Sequence, residues 1–110
     1  MTLITEYKDR ISQLCEQYQV RSLFAFGSVT TDSFKPTSDV DLVVDIDNTD
    51  PISYSDNYFG LKFQLEQLFK RQVDLLEEKA LRNQYLKNTI DKTKVLVYGK
   101  GKWSVETRLY

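Results

Sequence analysis

The sequence predicts a mixed α/β (α+β) fold: one four-stranded mixed sheet with helices packed on it, in the order α-β-β-α-β-α-β. Three observations carry this. Four short apolar runs, rich in β-branched and aromatic residues, are too brief for helices. Three longer segments repeat apolar residues at three- and four-residue steps. The first two strand-like runs are joined by a polar stretch without a helical pattern, so they are expected to be antiparallel neighbours.

Taken in order, residues 2–18 read as a helix, with Ile4, Tyr7, Ile11, Leu14, Cys15 and Tyr18 on one stripe. Val20 to Phe26 is a buried strand that ends at Gly27. Gly27 to Ser38 is a loop rich in Ser, Thr and Asp. Val40 to Ile46 is the second strand, broken by Asp47 to Pro51. A second helix runs from Ser53 or Ser55 to Lys70, capped by a Ser or Asp56. Tyr54, Tyr58, Leu61, Leu65, Leu68 and Phe69 form its apolar face. Gln72 to Leu76 is the third strand. Lys79 to Ile90 is a third helix, with Leu81, Tyr85, Leu86 and Ile90 inward. Lys94 to Tyr98 is the fourth strand. Residues 1–98 thus form one domain, and 99–110 a short tail that opens on a flexible Gly-Lys-Gly-Lys turn and carries Trp103 and Tyr110.

Length and composition narrow the chemistry. A chain of 110 residues holds one hydrophobic core. With 41% hydrophobic and 28% charged residues, its composition is that of a soluble globular domain. The absence of His excludes imidazole-built zinc sites and Ser-His-Asp triads. A formal charge of -1 argues against direct nucleic-acid binding. Cys15 has no partner for an internal disulfide, which favours a reducing compartment, and on the helix stripe it reads as a core residue. No apolar run approaches the roughly 20 residues that span a bilayer, and the start has no signal-peptide pattern. A cytoplasmic protein with no membrane partner is the expectation. Charge is uneven: six acids and one base lie between Asp32 and Asp50, while seven bases and one acid lie between Lys79 and Lys102. Most of these are solvated faces; the functional alternative is a basic surface that meets phosphates.

The chemistry concentrates in Phe26-Gly27-Ser28 and, ten residues later, Asp39-Val40-Asp41. Alternate strand residues point the same way, about 6 to 7 Å apart. Asp39 and Asp41 therefore share one face, with Val40, Leu42 and Val44 on the other. Close carboxylates repel, and one is driven toward protonation unless a cation intervenes. Oxygen ligands without His or Cys suit Mg²⁺ or Mn²⁺, with substrate phosphates completing the shell. Gly27 allows close backbone approach to a phosphate, and Ser28 can donate to it. Asp74, flanked by Val73 and Leu75, is a third carboxylate in an apolar strand, where a charge is costly without a partner. An edge position facing water, or an ion pair with Arg71, is the bland alternative.

At these residues the sequence resembles the minimal nucleotidyltransferases of the DNA polymerase beta superfamily, and within them the antitoxin branch that partners HEPN toxins. Gly27, Ser28, Asp39 and Asp41 fit the spacing of the family signature, Ser38 before Asp39 is usual, and Asp74 fits the third acid. The resemblance spans about residues 3 to 98. Asp45-Ile46-Asp47 is a second Asp-x-Asp without a Gly-Ser partner, and reads as strand-end polar residues. Thr31 stands where the family commonly has Arg, and Asp32 where it has Gly.

The resemblance implies a nucleotidyltransferase fold and transfer of AMP from ATP. Asp39, Asp41 and Asp74 would be catalytic and hold two Mg²⁺ ions, with Asp74 also the general base. Gly27, Ser28 and Ser38 would bind the nucleotide phosphates. The acceptor would be a Tyr of a HEPN toxin, which the chain silences as its antitoxin. Two alternatives stand beside this: a small-molecule nucleotidyltransferase, and an antitoxin that neutralises by binding alone. The shortness of the chain favours a partner that brings its own hydroxyl.

Overall fold

The computed structural model describes residues 2–99. Helix α1 (Thr2–Glu6) and helix α2 (Lys8–Gln17) precede strand β1 (Val20–Phe26) and a single 3-10 turn (Gly27–Thr30). Strand β2 (Val40–Ile46), helix α3 (Pro51–Phe69) and strand β3 (Val73–Glu77) follow. A short 3-10 turn (Glu78–Ala80), helix α4 (Gln84–Thr93) and strand β4 (Val95–Gly99) complete the described chain. The sheet order is β3-β2-β1-β4. β1 is antiparallel to both β2 and β4, whereas β2 and β3 are parallel. The mixed four-stranded sheet and the β1–β2 pairing are as the sequence predicts.

The core lies on one face of this sheet. Leu23, Ala25, Val40, Leu42, Val44 and Ile46 pack there with Ile11, Leu14 and Cys15 of α2 and Leu61 and Leu65 of α3. Burying each large aliphatic side chain stabilises the fold by about 1.5–3 kcal/mol. The opposite face of β2 carries Asp41, Val43 and Asp45 by strand alternation. There Val43 pairs with Phe24, whose ring lies 4.6 Å from the Lys94 ammonium at the end of α4. The core therefore leaves one sheet face available for polar groups at the strand ends.

Several boundaries differ from expectation. The predicted first helix is divided at Tyr7, yet the Ile11 amide still donates to the Tyr7 carbonyl at 2.9 Å and the apolar stripe is kept. Helix α3 starts at Pro51, earlier than predicted, because Asp50 caps it by accepting the Ser53 amide at 3.0 Å. Pro at the first helical position needs no amide partner, so it opens this helix rather than breaking it. The third helix begins at Gln84, not Lys79, where the Asn83 side chain accepts the Leu86 amide at 3.1 Å. Its inward set shrinks accordingly: Ile90 is buried, but Tyr85 is 82% exposed and Leu86 also faces solvent. β3 and β4 each sit one residue further along than predicted. Gly99 ends β4 instead of opening the tail, and the rest of the predicted tail, with Trp103 and Tyr110, lies outside the described residues. No helix among the described residues is long and apolar enough to cross a membrane.

Candidate active site

Three strand ends converge at one corner of the sheet. Phe26, last in β1, pairs with Asp41, second in β2. Asp41 in turn pairs with Asp74, second in β3. The parallel register thus sets two carboxylates side by side on adjacent strands. Asp39 immediately precedes β2.

Gly27 turns the chain away from β1 with φ +73, a region that L side chains rarely adopt. A Cβ built there would stand 2.6 Å from Asp41 Oδ2. Gly is therefore required twice over, by its backbone angle and by the carboxylate against it. The turn that follows is closed by hydroxyls. Thr30 Oγ1 donates to the Gly27 carbonyl at 2.7 Å, and Thr31 Oγ1 donates to the Ser28 carbonyl at 2.9 Å. Ser28 sits half-buried within this turn. Thr31 is thus occupied in fixing the turn. Its role was not read from the sequence, although two Thr directly after Gly-Ser-Val was an available signal.

Asp41 is half-buried, and its carboxyl is pushed above the ordinary Asp range. Burial is the largest cause, followed by the charges of Asp74 and Asp39. Among the described residues none of the three carboxylates forms a hydrogen bond or an ion pair. The expectation for Asp74 needs correction in one respect. β3 is the edge of the sheet and Asp74 is exposed, while Val73 and Leu75 beside it are buried. Register brings Asp74 to Asp41; burial does not.

Ser38 is used differently again. Its Oγ accepts the Lys35 amide at 3.1 Å, and its own amide donates to the Lys35 carbonyl at 2.9 Å. It closes the loop that leads into Asp39. Arg71, considered above as an ion-pair partner for Asp74, instead donates to backbone carbonyls in this loop. Cys15 is fully buried and its thiol is pushed up to about 12, first by burial and then by the Glu16 charge, as befits a core residue.

Among the described residues no three acidic or Cys side chains form a self-contained metal cage. The donor chemistry nevertheless fits Mg²⁺. It retains waters and takes only one or two carboxylates when substrate phosphates supply the other oxygens. Neighbouring carboxylates with no Lys or Arg partner among the described residues, one of them with a raised proton affinity, have the character of such a half-shell.

Comparisons with known proteins bear on the family and the fold. A family model described as "Nucleotidyltransferase domain" matches residues 8–97. The chain is 30% identical over 101 residues to the "Putative protein adenylyltransferase MJ1379" of Methanocaldococcus jannaschii, covering 88% of this chain and 100% of that protein. A solved toxin-antitoxin structure with AMP-PNP superposes with a TM-score of 0.67 at 18% identity, over 86% of this chain and 75% of that one. A structure of a tri-AMPylated HEPN toxin from Shewanella oneidensis in complex with its MNT antitoxin gives a TM-score of 0.64 at 16% identity, over 96% of this chain and 78% of that one. The structural likenesses establish the shared fold, that of a minimal nucleotidyltransferase. The chain belongs to the nucleotidyltransferase domain family.

Proposed function

We propose that this protein transfers AMP from ATP to a hydroxyl, the acceptor being a Tyr of a HEPN-type toxin that it silences as an antitoxin. The observation that carries the reading is the corner where Asp41 and Asp74 lie side by side on β2 and β3, with Gly27 against Asp41 at the end of β1 and Asp39 next in sequence before β2. The adenylyltransferase name of the archaeal relative and the AMPylated toxin in the Shewanella complex support the reaction and the class of acceptor.

Each residue has a distinct task. Asp39 and Asp41, with Asp74 completing one shell, would hold two Mg²⁺ ions, which supply charge neutralisation at the triphosphate when bound. Gly27 keeps the floor of the site free of a side chain, so the nucleotide can lie against backbone. Ser28 donates its hydroxyl to phosphate oxygens, and Ser38 keeps the Asp39 loop closed beside them. Asp74, exposed at the sheet edge, is open to an acceptor arriving from outside the domain. It accepts the acceptor's hydroxyl proton as general base. The acceptor oxygen bonds to the α-phosphorus, the bond from that phosphorus to the β-phosphate bridging oxygen breaks, and pyrophosphate leaves.

The test is incubation with ATP, Mg²⁺ and the product of the neighbouring gene, read by intact mass. A gain of one or more AMP groups on that protein, lost with Asp41→Asn, is the expected result. AMP on a small alcohol alone would move the assignment to a small-molecule enzyme. Tight partner binding without Mg-ATP binding, measured by calorimetry, would make it a contact antitoxin.

A further inference from the structure

Asp39 is exposed and lies outside the sheet ladder, yet the reaction proposed above needs it held. The residues that hold it come from the other carboxylate strand. On one side of Asp39, the Ser38 carbonyl accepts from Arg71 Nη1 at 3.4 Å. On the other, the Val40 amide donates to the Gln72 carbonyl at 3.1 Å. Consecutive residues at the foot of β3 therefore grip both neighbours of Asp39, two positions before Asp74 itself.

Arg71 grips more than one point. Nη1 also donates to the Lys35 carbonyl at 3.2 Å, and Nε donates to the Phe69 carbonyl at the end of α3 at 3.3 Å. The guanidinium carbon lies 4.9 Å from the centre of the Phe34 ring, in cation-π contact. One planar fork thus ties the end of α3, the foot of β3 and residues 34–38. Among the described residues it makes no ion pair with a carboxylate, so it does not act as a counter-charge to the site. Lysine has the charge but not the fixed, multi-donor plane.

We propose that Arg71 is a positioning residue that sets where Asp39 stands relative to Asp74, by locking the 34–38 loop to the foot of β3. The proposal rests on the reading of Asp39 as a working carboxylate. Its test has two arms on the full chain. In the first, amide hydrogen exchange is followed without ligand: Arg71→Ala should speed exchange over residues 35–40 by about tenfold or more while β1 stays protected, the signature of a local opening. In the second, AMP transfer is measured. Arg71→Ala should lower kcat by about 10–100-fold with KM for ATP nearly unchanged, the cost of a misplaced group. Arg71→Lys should recover only a minor part of that loss. Unchanged exchange at 35–40, or full rescue by Lys, overturns the proposal. If the unmodified protein transfers no AMP, the functional reading fails and the exchange arm alone judges the clamp. Should Arg71→Ala not fold, Phe34→Leu removes the ring contact only and should move both readouts the same way by less.

Discussion

Strand β2 carries the same short motif at both ends, and the two ends have different fates. At its close, Asp45 and Asp47 are neutralised. Arg21 Nη1 reaches Asp45 at 3.1 Å, Arg21 Nη2 reaches Asp47 at 2.6 Å, and the Lys79 ammonium stands 3.7 Å from the other Asp45 oxygen. At its start, Asp39 and Asp41 meet no cation among the described residues and face a third carboxylate instead. β1 makes the difference at each end. Its register shifts between Val20 and Ser22, a bulge that re-aims Arg21 toward the acids. Its other end supplies Gly27, which has no side chain with which to answer the charge. The contrast teaches that an Asp-x-Asp becomes structural or chemical according to what the neighbouring strand sets against it.

The largest expected effect separates the two ends directly. Asp41→Asn should cut AMP transfer by at least about 100-fold, since it removes an oxygen proposed above to bind Mg²⁺. Asp47→Asn should leave the rate near that of the parent. Equal losses in a side-by-side rate measurement would erase the distinction. Next comes Gly27→Ala. With φ +73 and a Cβ 2.6 Å from Asp41 Oδ2, it should slow transfer. It should also destabilise the fold by about 1–3 kcal/mol in a urea titration. A parent-like midpoint would show that the carboxylate moves aside freely.

The third prediction concerns stability without metal. The folded state raises the Asp41 carboxyl above its ordinary value of 3.8, so folding holds that proton more tightly than the unfolded chain does. Below 3.8 both states are protonated and no penalty exists. As pH rises through the folded value the penalty develops, and above it the penalty is complete. Asp41→Asn should therefore stabilise the metal-free protein at pH 7, by less than about 1 kcal/mol after solvent screening. The gain should fade as the solution is acidified toward 3.8, and a variant less stable than the parent at pH 7 would contradict the repulsion. The smallest effect belongs to the neutralised end. Arg21→Ala should lower Tm slightly, less so in high salt, and leave transfer untouched. A lost activity there would mean that the two ends are coupled.

Much of this was legible in the sequence because it rests on local pattern. β1 and β2 have their predicted bounds, since each is a β-branched, apolar run between turn-forming residues. The juxtaposition of Gly27 with Asp41 follows from an antiparallel pair whose connection holds no helix. The rest depends on tertiary position. Whether Asp74 is buried or exposed is decided by the order of strands in the sheet, which no residue in β3 encodes. Tyr85 and Leu86 fit a helical stripe, but the Asn83 cap starts that helix late and only Ile90 reaches the interior. Arg71 was invisible as a clamp because its partners are backbone carbonyls, which every residue possesses.

The parallel pairing of β2 with β3 has a consequence for when competence arises. β3 is joined to β2 through the 19 residues of α3, the crossover that a parallel pair requires. Asp41 lies in a hairpin-like pair that can form from nearby sequence, whereas Asp74 arrives through the slower, non-local contact. An opening that frees β3 would part Asp74, the proposed proton acceptor, from Asp41.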